Sequence, residues 1–140
     1  MMFLQYFIWG AWYVTAGTYM AKILSSSGTE IGNTYSAFAI ATIISPFFVG
    51  SIADRYFSAQ NIMGILHVIG GLLLIYATQV TSSFAFLIIV LIYSIVYMPT
   101  VALSNNIVFA NISDTGRVFP VIRFFGTFGW IVAGFIIGKL

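Results

Sequence analysis

The chain has very little charge. Of its 140 residues, five are basic and three acidic: Lys22, Arg55, Arg117, Arg123 and Lys139, against Glu30, Asp54 and Asp114. A soluble domain carries about 25% charged residues; here the share is 6%, and the mean hydropathy is +1.06. No ordinary water-facing surface can be built from that composition, so the chain reads as a membrane protein. Cysteine is absent, which excludes disulfides, thiolate metal sites and a cysteine nucleophile. The single histidine, His67, excludes a multi-histidine metal cluster. The net charge of +2 and the pI near 9.0 rest on a handful of residues with no basic stripe, so no nucleic-acid partner is expected. Enzyme chemistry finds little support: no intramembrane Asp or Glu can pair with His67, and Ser104 alone is too little for a nucleophile. Neither a metal nor an organic cofactor is implied.

What the chain has in plenty is long apolar runs. The charged residues mark the water, and each run between them is long enough for a span of about 20 residues. The pattern predicts an all-α membrane protein with helices at about 3–24, 32–53, 59–79, 83–109 and 119–138. Residues 56–113 hold no formal charge and are too many for one helix; "TQVTSS" (78–83) is the natural break. A membrane barrel would need alternating polar residues, and "FLIIVLIYSIVY" (86–97) does not alternate. The amino-terminal run lacks the basic start and cleavage site of a signal peptide and reads as the first span. Thr29 is placed to cap helix 2, and Pro120 falls in the expected first turn of helix 5. Arg55, Arg117 and Arg123 lie near one side, and Lys22 and Lys139 near the other. Three against two puts the 2–3 and 4–5 loops in the cytoplasm.

Several stretches carry more than hydrophobicity. "FLQYFIWGAW" (3–12) sets Gln5, Trp9 and Trp12 at i, i+4 and i+7, one helical face; from periodicity this is an aromatic packing stripe. "YMPTVALSNN" (97–106) puts Pro99 inside a span, with Asn105 and Asn106 towards its end. His67 reads as a helix–helix hydrogen-bond partner or as a proton carrier. In "FPVIRFFGTFGW" (119–130), Arg123, Thr127 and Trp130 share one face at i, i+4 and i+7. Gly126 and Gly129 narrow that helix, and Gly134 with Gly138 forms a G-x-x-x-G packing signal. From the predicted helix start, Arg123 is about 6 Å deep at 1.5 Å per residue, within reach of snorkelling. Anchoring and ligand binding both remain open on these grounds.

"GSIADR" (50–55), a G-x-x-A-D-R pattern ending a second span before a tight turn, resembles the loop 2–3 signature of the major facilitator superfamily. The resemblance implies gating roles for Gly50, Asp54 and Arg55, with the acidic residue latching the gate through Arg55 and a helix end. The basic residues usual further along that loop are replaced here by "FSAQN".

Taken in order, "FLQYFIWGAW", "GSIADR", "YMPTVALSN" and "FPVIRFFGTFGW" resemble the amino-terminal part of the bacterial nucleoside:proton symporters, a branch of that superfamily. The resemblance spans essentially the whole chain. It implies a twelve-helix transporter of two six-helix bundles, of which residues 1–140 supply about five helices. It further implies proton-coupled import of a nucleoside such as uridine or adenosine, in a bacterial cytoplasmic (inner) membrane, by alternating access. Arg123, Thr127 and Trp130 are the expected cavity wall, with Gln5 and Trp9 as further substrate-binding candidates. The expected partners are the nucleoside, the lipid bilayer and the missing carboxy-terminal helices of the same transporter; the coupling ion is a proton. A facilitator carrying a sugar or drug is the alternative.

Overall fold

In the computed structural model, residues 1–56 and 58–139 are described, the side chains at 46 and 48–56 excepted. Five helices follow one another: α1 (Met2–Lys22), α2 (Gly28–Tyr56), α3 (Ala59–Ala77), α4 (Ser83–Asn111) and α5 (Thr115–Ile137). The expected helices are therefore all present. By length and composition α3, α4 and α5 are apolar enough to cross a membrane. The α1 segment is 21 residues, about 32 Å at 1.5 Å per residue, but it is rich in Trp and Tyr, whose polar tips suit interfaces and protein-facing sides.

Two helix starts differ from the sequence expectation, and both for the same reason. At α2 the cap is Ser27, not Thr29. The Ser27 backbone N–H and hydroxyl donate to the Glu30 carboxylate at 2.7 and 2.8 Å, and the Glu30 N–H returns a bond to the Ser27 hydroxyl at 3.3 Å. That reciprocal S-x-x-E box starts the helix at Gly28 rather than 32. The Ser27 N–H, then its hydroxyl, then the Ser83 hydroxyl hold the Glu30 carboxyl below its ordinary range. At α5, Asp114 accepts from the Arg117 N–H at 3.2 Å and starts the helix at Thr115 instead of 119. Pro120 consequently lies inside the helix, at its sixth position, where it forgoes a bond to the Gly116 carbonyl. Arg123 is then about 12 Å from the helix start at 1.5 Å per residue, twice the expected distance.

The chain packs as two compact units. The first joins Met1–Tyr19 of α1 to the chain from Ser104 onward, which is the end of α4 and all of α5. Its seam is made by glycine. A Cβ on Gly129 would collide with the Phe3 carbonyl oxygen, and one on Gly126 would stand 2.7 Å from a Tyr6 ring carbon. Gly10 answers from α1, where a Cβ would meet the Trp130 carbonyl oxygen at 3.1 Å. The backbones of α1 and α5 can approach so closely only because these side chains are missing, the usual device between membrane helices. The G-x-x-x-G pair does not share this role. Gly134 has nothing near a Cβ position, and Gly138 meets only the carbonyl of Gly134 in its own helix. At about 100° per residue, Gly134 stands roughly 140° around the helix from Gly129, so the two glycine pairs face different ways.

The second unit, Met20–Leu103, holds α2, α3 and most of α4. Its core is aromatic. Tyr93 and Tyr97 stack at 5.2 Å, and Gly70 of α3 leaves room for the Tyr93 ring. The His67 ring meets Tyr97 edge-on at 5.6 Å. Its Nδ1 lies 2.7 Å from the Met63 carbonyl one turn back, so Nδ1 is the donor. Among the described residues the histidine thus bonds its own helix and packs across to α4, with no hydrogen bond to another helix. The Ser26 and Ser83 hydroxyls pair at 2.7 Å, tying the approach to α2 to the first residue of α4. Many apolar side chains stay exposed, among them Val68, Leu72, Phe124 and Phe135. Water would not tolerate such a surface; a bilayer or further apolar helices would.

Candidate functional site

The predicted α5 face exists, and its residues differ in surroundings. Trp130 lies against α1, edge-to-face on Trp9 with centroids 5.0 Å apart at 85°. It also tilts over Tyr13 at 5.7 Å. Trp9 touches Tyr13 at 6.3 Å and Tyr6 at 5.9 Å. The two tryptophans picked from separate stretches of sequence are therefore neighbours in one aromatic cluster. Such offset and T-shaped pairs satisfy the ring quadrupoles, and each is worth about 0.5–1.5 kcal/mol beyond the area it buries.

Arg123 stands two turns nearer the start of α5. Its guanidinium carbon lies 4.7 Å from the centroid of the Tyr6 ring, a cation–π distance. Its Nη1 donates to the Asn105 Oδ1 of α4 at 3.3 Å. The side chain is otherwise exposed. Arg123 and Trp130 are separated by only about 20° around the helix at 100° per residue, so both border the glycine seam. Thr127 lies about 40° further from that seam, which accounts for its exposure. No metal-binding group of three or more ligating side chains occurs among the described residues.

The α1 candidates divide. Trp9 is half-buried in the cluster with Trp130. Gln5 is covered, at 1% exposure, so a ligand would reach it only after local repacking. The gating candidates Gly50, Asp54 and Arg55 fall on the α2 backbone, but their side chains lie outside the described residues. Two participants were not singled out for the site from the sequence. Tyr6 is one position from Gln5, and the i, i+4, i+7 stripe does not include it. Asn105 stood out as a polar residue late in an apolar helix, and nothing in its spacing tied it to Arg123.

Known proteins resemble this chain along its whole length. The profile of the Nucleoside H+ symporter family matches residues 1–139. The YegT protein of Escherichia coli, named as a candidate nucleoside transporter, is 49% identical over 140 residues, which is 100% of this chain and 33% of that protein. The xanthosine permease of Escherichia coli is 40% identical over 144 residues, covering 100% of this chain and 34% of the permease. A crystal structure of a point mutant of the nucleoside transporter NupG superposes with a TM-score of 0.92 at 39% identity, over 97% of this chain and 35% of that one. The chain spans about a third of the length of these relatives. The fold is correspondingly that of about a third of the NupG chain. On a match running from residue 1 to 139, the chain belongs to the nucleoside H+ symporter family.

Proposed function

We propose that residues 1–140 form the amino-terminal part, helices 1–5, of a twelve-helix transporter. It imports nucleosides such as uridine or adenosine with protons across a bacterial inner membrane and does no enzymatic chemistry. The observation that carries this reading is that Arg123, over the Tyr6 ring, and Trp130, against Trp9, both lie along the one seam of α1 and α5. A nucleoside is a flat base on a polyhydroxyl ribose. An aromatic ring such as Trp130 or Trp9 can stack on the base. Arg123 and Thr127 carry donors for base or ribose oxygens, and Gln5 adds an amide once its packing opens. Gly50, Asp54 and Arg55 serve the gate at the end of helix 2. Carboxy-terminal helices complete the cavity and supply carboxylates, one of which Arg123 can pair with to couple protonation to binding.

The test is uptake in proteoliposomes by the full-length transporter that contains this segment. Uridine should accumulate when a proton gradient is imposed and much less when it is collapsed. Excess unlabelled adenosine should compete, and a sugar should not. Arg123→Gln should insert normally and lose most of the accumulation. Uptake blocked by a sugar and indifferent to adenosine would refute the nucleoside reading.

A further inference from the structure

Arg123 is a long, flexible cation on a helix whose residues are mostly apolar. To recognise a ligand it must be held in one place, and the face of α5 that carries it provides no such hold. Two residues on other helices do. Tyr6 of α1 offers its ring, with the guanidinium 4.7 Å from its centroid. That ring is itself fixed: Tyr6 is 7% exposed, and Trp9 leans on it at 5.9 Å. Its edge also fills the notch left by Gly126, where a Cβ would stand 2.7 and 3.1 Å from two ring carbons. Gly126 lies one turn beyond Arg123 on the same helix, so α5 supplies both the cation and the gap for the ring beneath it. From the end of α4, the Asn105 Oδ1 accepts from Nη1 at 3.3 Å. A guanidinium has five N–H donors and two faces. Among the described residues, one donor goes to Asn105 and one face to Tyr6, which leaves four donors and the second face uncommitted.

We infer that Tyr6, Asn105 and Gly126 are positioning residues that seat the Arg123 guanidinium with its remaining donors turned to the ligand. The inference rests on the reading of Arg123 as a nucleoside contact. Tyr6 acts through its π face and Asn105 through its amide oxygen. Neither needs to touch the nucleoside.

The test is uridine affinity of the full-length transporter in detergent, by titration calorimetry, for single and paired variants. Asn105→Leu and Tyr6→Leu should each weaken binding by about 2- to 10-fold, as expected for loss of one charge-assisted contact. Tyr6→Phe keeps the ring and should bind like the parent. In an Arg123→Gln background, Asn105→Leu and Tyr6→Leu should have no further effect, because their role passes through the missing guanidinium. Effects that persist undiminished in that background would overturn the inference, as would Tyr6→Phe binding as poorly as Tyr6→Leu. Asn105→Leu changes a residue at the helix surface, so it carries the test even if Tyr6→Leu fails to fold. If Arg123→Gln alone binds uridine normally, the ligand reading of Arg123 falls. If Arg123→Gln weakens binding while Asn105→Leu and Tyr6→Leu do nothing, only the seat falls.

Discussion

Alanine at three glycines of α5 should separate into three different outcomes. At Gly129 the added Cβ would run into the carbonyl oxygen of Phe3. That oxygen belongs to the α1 backbone and cannot rotate away, so the helices must part. At Gly126 the Cβ would lie 2.7 Å from a Tyr6 ring carbon. An ordinary contact is about 3.5–4.0 Å, so the buried ring must shift by roughly 1 Å. At Gly134 nothing lies within 4 Å, and the methyl enters open space. Overpacking a tight contact costs about 1–3 kcal/mol, and replacing a helical glycine by alanine returns up to about 1 kcal/mol in a water-exposed helix. The net expectation is a loss of about 2 kcal/mol for Gly129→Ala, about 1 kcal/mol for Gly126→Ala, and no loss for Gly134→Ala. Thermal unfolding of the chain in detergent micelles, followed by helical circular dichroism, should rank the midpoints in that order. Equal midpoints for Gly129→Ala and Gly134→Ala would refute the claim that the α1–α5 seam is set by backbone proximity at Gly129.

Three other perturbations follow from local geometry. Ser25 is a non-glycine residue with φ of 51°, a conformation that costs an L-residue about 1 kcal/mol; Ser25→Gly should therefore unfold at a slightly higher temperature, and a lower one would count against that strain. Glu30 is held below its ordinary carboxyl range by Ser27, so its share of stability is present above the unfolded carboxyl pKa and is lost as pH falls through the lower, folded value; acid titration should show this loss in the parent and not in Glu30→Gln. Trp130 packs on Trp9 and Tyr13, so Trp130→Phe should cost under about 1.5 kcal/mol in the same unfolding assay and Trp130→Ala about 2–3 kcal/mol; equal costs would mean that the ring contacts contribute nothing.

The sequence alone determined that this chain is helical and lives in a membrane. Eight charges in 140 residues leave no other solvent for the apolar surface, and helices satisfy their own backbone bonds there. It also determined the shared face of Arg123, Thr127 and Trp130, because the 3.6-residue period is a property of the backbone. Helix starts were less legible. Ser27 and Asp114 set them through side-chain bonds to residues three further on, while Thr29 and Pro120 offered equally good signals in the sequence. The tertiary structure decided which residues meet. The pairs Gly126/Gly129 and Gly134/Gly138 look alike in sequence, and only packing selects Gly126 and Gly129. Trp9 and Trp130 are 121 positions apart, yet they pair at 5.0 Å; Arg123 takes its seat from Tyr6 and Asn105 on two other helices. Periodicity fixes directions on one helix, whereas a contact between helices depends on how closely their backbones approach, and here that approach is set by the missing side chains of glycine.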